Sequence, residues 1–382
     1  MSINNDTEIT TTTKTTEHDP LLELGWSDFF AKELSGKLEP ARVLEVRRGS
    51  FLVAARDGRG GLVELEAKPS GHLSAESANE ADWPATGDWV AIRPRPGLSS
   101  DETVLVEAVL PRRSAFSRKA AGDSRYDKVA EQVIAANIDT VFIVTAAGND
   151  FSVRRMERYA TLALEAGAAP ILVVTKSDLA GDGIADLVAA AGEACPFAPA
   201  FAVCSLTGTG LEQMTRFLVP GSTSVLLGSS GSGKSTLLNV LAGAELNSTG
   251  AVKNFDQRGR HTTTARTLFS LHNGAMIIDT PGLREVQLWL GEDSAGGVFS
   301  EIEEAAASCR FSDCMHQNEP GCAVKAGMAD GSISAERYES WLSLLAEARF
   351  LETKTNPLAR KAERAKWKIR SKAARKLDKT KA

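Results

Sequence analysis

A glycine-rich segment in the middle of the chain has residue types and spacing that could bind phosphate. It fits the pattern G-x-x-x-x-G-K-[ST] and consists of Gly228, Ser229, Ser230, Gly231, Ser232, Gly233, Lys234, Ser235 and Thr236. An apolar run precedes it and apolar residues at helical spacing follow it, which is the context that a P-loop requires. Glycines let backbone N–H groups turn toward one point, where the helix N-terminus adds its positive dipole end. We therefore predict a nucleoside triphosphate site in which Lys234 reaches the β- and γ-phosphates and the Ser235 hydroxyl ligates Mg²⁺.

Two loops earlier in the chain predict which base this site would accept. The first, after the apolar strand 171–174, consists of Thr175, Lys176, Ser177 and Asp178. The Asp178 carboxylate would accept hydrogen bonds from N1–H and N2–H₂ of guanine, and the Lys176 stem would lie along the ring, whereas adenine presents no such donor pair. The second loop, 204–208, would back the base from the other side through Cys204 and Ser205. A lone Lys-x-Asp is commonly a solvated turn, but two such loops in order favour GTP or GDP as the ligand.

Two segments that follow the P-loop predict how a bound nucleotide would be sensed. Asp279 follows the apolar run 275–278 and opens Asp-Thr-Pro-Gly. Its carboxylate would hold Mg²⁺ through water, and the Gly282 N–H can reach the γ-phosphate. The segment 258–264 contains Thr263 and Thr264, either of which would ligate Mg²⁺. The alternative for this segment is an ordinary surface loop.

The residue that would activate water is less directly indicated. Leu283 follows Gly282, where many GTPases carry a glutamine that orients the attacking water, and leucine has neither a donor nor an acceptor. We predict that His261 positions or polarises the water instead; alternatively, it only contacts a partner or packs. The predicted catalytic residues are therefore His261, Lys234, Thr263 and Thr264. Without that glutamine or a built-in arginine finger, hydrolysis should be slow until a partner stimulates it.

A second cluster has the composition of a metal site. Three of the five cysteines and one histidine fall in the spacing C-x₄-C-x-H-x₅-C, as Cys309, Cys314, His316 and Cys322. Three thiolates and one imidazole complete a closed tetrahedral Zn²⁺ site, which is a structural arrangement and not a catalytic one. The alternative is a chance cluster of buried thiols. Zinc would hold together a segment too small to form a core of its own.

The elements around these motifs predict a multidomain protein. Five short alternating strands within 37–112 predict a small closed β-barrel, with the OB-fold as the favoured topology; such a barrel could hold RNA or merely pack on its neighbour. Strands and helices alternate through 113–290, which predicts a mostly parallel α/β sheet that carries the P-loop. The remaining predicted segments are a disordered lead-in with a short helix at 1–36, a helical zinc-binding domain at 291–352 and a basic tail at 353–382. Residues 111–119 are interpreted as a basic linker that either touches phosphate or is simply solvated.

Composition and charge indicate in which compartment the protein acts and what kind of partner it binds. No apolar run approaches the roughly 20 residues that span a bilayer, and the first residues lack the pattern of a signal peptide. An odd number of cysteines then favours thiols or metal over disulfides, so we expect a cytoplasmic protein without a membrane partner. The net charge of −5 hides a tail from 357 onward with eleven Lys/Arg and two acidic residues. We expect this tail to fold on RNA; an inert soluble tail is the alternative.

In their joint order these motifs resemble the ribosome small-subunit-dependent GTPase A family, the circularly permuted GTPases also called RsgA or YjeQ. The resemblance covers roughly 22–355 and rests on the base loop 175–178, the P-loop 228–236, the segment 259–264, the residues 279–283 and the Cys/His cluster. It implies an OB-fold, a central GTPase and a zinc domain that together dock on the 30S subunit and its 16S rRNA late in maturation. GTP hydrolysis, stimulated by the subunit, would release the factor. We further expect a monomer that does not bind DNA.

The sequence departs from the family pattern at one position, and two alternative functions are also considered. Thr175 stands where asparagine is frequent, which could weaken the brace between base loop and P-loop. A nucleotide-gated RNA-binding module with incidental turnover is the first alternative function. An ATP-using kinase or ATPase is the second.

Overall fold

The computed structural model describes residues 19–93, 102–119, 131–243, 266–279, 297–317 and 319–355. The predicted disordered lead-in before residue 19 and the basic tail after residue 355 lie outside these ranges. Among the described residues, no helix combines the length and the apolar character that crossing a membrane requires.

The N-terminal part of the chain forms a closed five-stranded barrel. Its strands are β1 (Glu39–Arg47), β2 (Ser50–Arg56), β3 (Leu62–Pro69), β4 (Trp89–Ile92) and β5 (Thr103–Val109). They follow the order β1-β2-β3-β5-β4, and a β1–β4 pairing closes the ring. Alternate side chains point inward, so that Val43, Val53, Leu65 and Val104 are fully buried inside the barrel. The predicted OB-type barrel is confirmed.

Short helical segments cover the barrel. A 3₁₀ turn at Pro20–Leu24 and the helix α1 (Asp28–Ala31) precede it, and α2 (Gly71–Glu76) follows β3. The ring centroids of Trp26 and Trp89 of β4 lie 4.7 Å apart in an edge-on contact, and the ring centroid of Phe30 lies 5.8 Å from that of Trp89. This aromatic contact fixes the N-terminal segment on the barrel.

The central part of the chain is an α/β sheet with helices on both faces. Five parallel strands run in the order β10-β9-β8-β11-β13, where β8 is Thr140–Ala146, β9 is Ala169–Thr175, β10 is Ala200–Ala202, β11 is Thr223–Gly228 and β13 is Met276–Asp279. The helices are α3 (Val153–Glu165), α4 (Ile184–Ala194), α5 (Leu211–Thr215) and α6 (Lys234–Gly243). Two buried apolar clusters lie on opposite faces of the sheet. The strands β9 and β10, which carry the base loops, precede the P-loop strand β11 along the chain.

The barrel and the α/β sheet share hydrogen bonds, a feature that the sequence did not predict. Strand β12 (Thr267–Ser270) lies antiparallel to β13 and also pairs with β1, through the register Glu45↔Thr267. One sheet of eleven strands therefore runs through both parts of the molecule.

The predicted basic linker is not simply a connection. Part of it forms β6 (Ala115–Lys119), which pairs with β7 (Glu131–Ala136) as an antiparallel ribbon. The Arg112 guanidinium donates to both oxygens of Asp88, which is fully buried, at 2.8 and 2.7 Å. Neither predicted role, phosphate contact or solvated linker, describes Arg112, because its charge is used inside the fold.

Among the described residues from 297 onward, three helices and a loop form the C-terminal part. Helix α7 (Ser300–Ala307) leads into the loop with the Cys/His cluster, and α8 (Ala323–Asp330) and α9 (Ala335–Thr355) follow. Helix α9 packs along α3 through ion pairs, among them Arg158 with Glu347 at 2.7 Å. The Cys/His loop is thereby attached to the α/β part through α3.

Candidate nucleotide and metal sites

The P-loop turns sharply between β11 and α6, and glycines make that turn possible. A Cβ on Gly228 would lie 2.1 Å from the Val144 carbonyl oxygen, so any side chain there would push two strands apart. Gly231 and Gly233 have φ angles of +79° and +91°, which only glycine adopts at little cost. Ser230, Ser235 and Thr236 are exposed at the turn and at the start of α6. The segment therefore has the shape of an anion-binding loop at a helix N-terminus.

The Lys234 ammonium lies against its own loop. Its Nζ donates to the carbonyl oxygens of Gly228 and Ser229 at 2.8 and 2.5 Å and to Ser232 Oγ at 3.1 Å. These contacts keep a positive charge beside the exposed turn. Such a charge can stabilise phosphate oxygens.

The base loop and the P-loop are joined by Thr175. Thr175 is 1% exposed, and its hydroxyl donates to the Ser232 carbonyl oxygen at 2.6 Å, while the Thr145 carbonyl oxygen lies 3.2 Å from the hydroxyl oxygen. A hydroxyl carries one proton, so it can donate fully to only one of these carbonyls. The brace that asparagine could have made is thus present here through a threonine hydroxyl.

The two base loops meet at Asp178. The buried Cys204 thiol donates to Asp178 Oδ1 at 3.2 Å, and the Ser177 N–H donates to the Val203 carbonyl oxygen at 3.3 Å. Lys176 has a φ of +55°, and its side chain is exposed, as is that of Asp178; Ser205 is half-buried. The thiol contact fixes one oxygen of the carboxylate, an arrangement that the sequence pattern did not indicate.

Sequence reasoning missed a further polar residue at this edge of the sheet. Asp150 lies in the loop after β8, and its Oδ1 accepts hydrogen bonds from Ser229 Oγ and from Arg155, both at 2.6 Å. Its Oδ2 accepts from the Ala146 N–H at 3.1 Å. Burial raises the pKa of Asp150, but the bonds from Ser229 and Arg155 outweigh it and hold the pKa below its usual value. The available signal was a third polar loop after a parallel strand, next to the P-loop strand.

Several predicted site residues lie outside the part of the chain that the structure describes. These are His261, Thr263, Thr264 and Gly282. Asp279 is the last residue of β13, which runs parallel to the P-loop strand, but its side chain is also outside the described atoms. Their predicted roles therefore stay predictions.

The Cys/His cluster comes together in space. The ligand atoms of Cys309, Cys314, His316 and Cys322 all lie within 4.8 Å of one another. Cys309 Sγ is 3.8 Å from Cys322 Sγ, and His316 Nδ1 is 3.6 and 3.5 Å from these two sulfurs. Tetrahedral Zn²⁺ with ordinary bond lengths would separate two sulfurs by about 3.8 Å and a sulfur from a nitrogen by about 3.6 Å. The donor set and its spacing therefore fit zinc.

The surrounding contacts prepare this cluster for a cation. The His316 backbone has a φ of +56°, and its carbonyl oxygen accepts from the Tyr338 hydroxyl at 2.8 Å. The Ala323 N–H donates to Cys309 Sγ at 3.3 Å, a contact that favours the thiolate. Burial, together with the neighbouring thiols, raises the pKa of Cys314 to about 11. Ionised thiolates this close together repel one another, and a bound cation would offset that repulsion.

Known proteins resemble this chain over much of its length. The family model described as RsgA GTPase matches residues 109–289. The small ribosomal subunit biogenesis GTPase RsgA of Opitutus terrae is 44% identical over 359 residues, covering 91% of this chain and 95% of its own length. The protein of the same name from Methanosarcina acetivorans is 42% identical over 285 residues, covering 75% of each chain.

Two solved structures share the fold. The crystal structure of YjeQ from Thermotoga maritima has a TM-score of 0.60 at 23% identity, covering 81% of this chain and 98% of that one. The structure of YloQ, titled a circularly permuted GTPase, has a TM-score of 0.58 at 21% identity, covering 82% of this chain and 95% of that one. At these identities the likeness concerns the fold alone. It agrees with the order of base loops and P-loop described above.

Proposed function

Because this chain belongs to the RsgA GTPase family, we propose that it binds the small ribosomal subunit and couples GTP hydrolysis to late maturation of that subunit. In this proposal hydrolysis releases the factor, and contact with the subunit accelerates hydrolysis. The relatives are named small ribosomal subunit biogenesis GTPases, which supports the role in the small subunit.

The observation that carries the proposal is the meeting of three loops at one edge of the sheet. The P-loop, the loop with Asp178 and the loop with Cys204 are linked by the Thr175–Ser232 and Cys204–Asp178 contacts. A phosphate-binding turn is thus held at a fixed position relative to a carboxylate that can read guanine. ATP would leave that carboxylate without its N1–H and N2–H₂ donors, so the arrangement favours GTP.

We assign each predicted site residue a task in hydrolysis. Lys234 stabilises the β- and γ-phosphate oxygens, and the glycine turn supplies backbone donors at the helix N-terminus. Ser235 would hold Mg²⁺, which supplies charge neutralisation on the phosphates when bound. His261 is proposed to orient water, and Thr263 or Thr264 together with Asp279 to complete the magnesium site. Gly282 is proposed to donate its N–H to the γ-phosphate.

The zinc site is proposed to be structural. Cys309, Cys314, His316 and Cys322 supply four protein ligands and so leave no open position for a substrate. Zinc would fix the loop between α7 and α8, and with it the surface that faces a partner.

The partner is proposed to be the 30S subunit, contacted through 16S rRNA. The +9 charge of the segment from residue 357 onward fits a polyanion, although the whole chain is acidic. We further propose that the protein acts in the cytoplasm as a monomer, without DNA or membrane partners. The proposed boundaries of its functional units are 37–112 for the barrel, 113–290 for the GTPase and 291–352 for the zinc domain.

GTP turnover with and without purified 30S subunits tests this proposal. We expect slow intrinsic hydrolysis, a many-fold increase with 30S subunits and loss of both in Lys234→Ala. GTP-dependent RNA affinity without stimulated turnover would point instead to a nucleotide-gated RNA module. Competition by ATP but not by GDP would point to an ATP-using enzyme.

The base specificity has its own test. Asp178→Asn should lose GTP affinity and gain affinity for XTP, because xanthine offers a carbonyl where guanine offers an amine. Asp182→Asn, an exposed carboxylate in the same region, is the matched control. Unchanged GTP preference in Asp178→Asn would remove Asp178 from the base site.

A further inference from the structure

We propose that Asp150 is a positioning residue for nucleotide binding, which fixes the first arm of the P-loop through Ser229 and is itself fixed by Arg155 of α3. The inference rests on the proposed nucleotide site. It adds a third loop, from the end of β8, to the machinery that the base loops and P-loop form.

Four donors determine where the Asp150 carboxylate and its backbone lie. Oδ1 accepts from Ser229 Oγ and from Arg155 Nη1, both at 2.6 Å, and Oδ2 accepts from the Ala146 N–H at 3.1 Å. The Asp150 carbonyl oxygen accepts from Thr145 Oγ1 at 3.1 Å. Two bonds on one charged oxygen are charge-assisted and short, and such bonds are about twice as strong as neutral ones. The carboxylate is therefore an anchor and not a mobile surface group.

Ser229 is the residue of the P-loop where an anchor has the greatest consequence. Its carbonyl oxygen accepts from Lys234 Nζ at 2.5 Å and from the Ser232 N–H at 3.3 Å. The same residue thus links the turn of the loop to the lysine that would meet the phosphates. A Ser229 that moved would carry both with it.

The P-loop is held at two points, by a residue in the loop after β8 and by the last residue of β9. Asp150, after β8, holds Ser229 in the first arm, and Thr175, at the end of β9, holds Ser232 in the second arm. A loop held at both arms loses less conformational entropy when the nucleotide binds. Pre-organisation of this kind increases affinity without any direct contact between Asp150 and the nucleotide.

The competing explanation is that Asp150 and Arg155 merely stabilise the start of α3. Their side chains are 26% and 31% exposed, and a pair at that exposure contributes little to stability by itself. A purely structural pair would change the unfolding midpoint and leave nucleotide affinity unchanged. The two explanations therefore differ in which measured quantity responds.

A double-mutant cycle on nucleotide binding tests the proposal. Dissociation constants for fluorescent GTP and GDP, together with KM, kcat and the unfolding midpoint, are measured for the full-length protein, Asp150→Ala, Ser229→Ala and the double variant. We expect each single variant to bind about fivefold more weakly, the equivalent of one net hydrogen bond, with KM raised by the same factor and kcat nearly unchanged. The double variant should bind no more weakly than the weaker single variant, because both changes remove the same bond.

Controls separate this inference from the proposed function. Asp182→Ala, which removes an exposed carboxylate elsewhere in the same region, should bind as the unaltered protein does, and Arg155→Lys should keep most of the affinity because it keeps the charge. Losses that add in the double variant, or a lowered unfolding midpoint with unchanged affinity, would overturn the positioning role. If the unaltered protein fails to bind GTP, the proposed function itself fails; if it binds GTP and Asp150→Ala binds equally well, only this inference does.

Discussion

The α/β part contacts its two neighbours in different ways. Toward the barrel it shares backbone pairing between β1 and β12, and the fully buried Arg42 crosses the boundary. Arg42 donates to the Leu24 carbonyl oxygen at 2.7 Å, to the Asn137 carbonyl oxygen at 3.3 Å and to Thr223 Oγ1 at 3.0 Å. Burial lowers its pKa to about 10, so it still carries its charge at neutral pH.

Toward the Cys/His part, ion pairs join the helix faces beside an apolar core that both parts share. Arg154 pairs with Glu339 at 2.5 Å, with side chains 58% and 65% exposed, and Arg158 pairs with Glu347 at 2.7 Å, with side chains 32% and 29% exposed. Arg337 is the most enclosed member: it donates to Glu301, Glu157 and two carbonyl oxygens and lies over the Phe299 ring at 5.0 Å.

The difference indicates which boundary can rearrange. To separate the barrel from the α/β part, the strand pairing and the contacts of the buried Arg42 charge must be broken together. Exposed ion pairs are weak and screened by salt, and each can be replaced by contacts with water. We infer that the barrel and the α/β part behave as one unit. The described residues of the Cys/His part join the α/β part through ion pairs and apolar packing but through no strand pairing, so this part changes its position at smaller cost. The four predictions below test that contrast, from the largest expected effect to the smallest.

Loss of the metal cluster should have the largest effect and should be confined to the C-terminal side. We expect Cys314→Ser to lose bound zinc and to unfold the loop between α7 and α8, because structural zinc contributes on the order of 10 kcal/mol of binding free energy to such folds. Zinc content by atomic absorption and hydrogen exchange resolved along the chain measure both effects. Exchange in the barrel strands should not change.

The exposed neighbour Asp313→Ser is the matched control and should keep its zinc. Chelation followed by addition of zinc should reproduce and then reverse the effect in the unaltered protein. Purified protein without any bound metal would contradict the zinc assignment.

Removing Arg42 should break the boundary with the barrel. Arg42→Met leaves the Leu24 and Asn137 carbonyl oxygens buried without their donor, and we expect a loss of about 3 kcal/mol. Thermal unfolding should then separate into two transitions, one for the barrel and one for the remainder, where the unaltered protein shows a shared one. Arg48→Met, an exposed arginine next to the same strand, should unfold as the unaltered protein does. A single unshifted transition in Arg42→Met would show that strand pairing alone joins the two parts.

Sequence reasoning succeeded where the signal is local. The glycine spacing of the P-loop, the alternation of the barrel strands and the spacing of Cys309 to Cys322 each lie within a few consecutive residues, and period and turn chemistry determine them.

The missed features depend on residues that are far apart in sequence. The pairing of Glu45 with Thr267 has no local signature, because any strand edge offers the same backbone groups. Asp150 in a polar loop looks like an ordinary solvated carboxylate until the fold brings Ser229 beside it. In the sequence Arg112 is part of a basic run, but the fold brings its guanidinium into an ion pair with the buried Asp88.

Weakening Arg337 should loosen the other boundary by a smaller amount. Arg337→Lys retains the charge but cannot reach two carboxylates and two carbonyl oxygens at once, so we expect a loss of about 2 kcal/mol. Hydrogen exchange should rise in α9 and in the Cys/His loop, more so at high salt, and should stay unchanged in the barrel. Arg349→Lys, exposed on the same helix, is the control. Equal protection of α9 in both variants would mean that apolar packing alone holds this boundary.

Glu157 should give the smallest effect, as a dependence on pH. Glu157 is 1% exposed, and burial raises its pKa above the ordinary 4.5 although Arg337 and Ser340 oppose the shift. Because the folded state holds this proton more tightly than the unfolded chain does, its contribution to stability is complete below pH 4.5 and is lost as pH rises through the folded pKa. A single carboxyl changes the free energy of unfolding by at most about 1.4 kcal/mol per pH unit.

Glu157→Gln removes this titrating carboxyl group and should remove its contribution to the dependence of the free energy of unfolding on pH. Urea midpoints from pH 4 upward are compared between the unaltered protein and Glu157→Gln, with the exposed Glu193→Gln as control. The difference in stability between two of these proteins does not contain the effect of thiolate protonation, because all three have the same cysteines. We expect the unaltered protein to lose stability relative to Glu157→Gln as pH rises above 4.5, and a difference of opposite sign would mean that the bond to Arg337 outweighs the burial of the carboxylate. In that case the boundary with the Cys/His part would contain a net favourable buried ion pair and would resemble the barrel boundary more closely than its exposed pairs suggest.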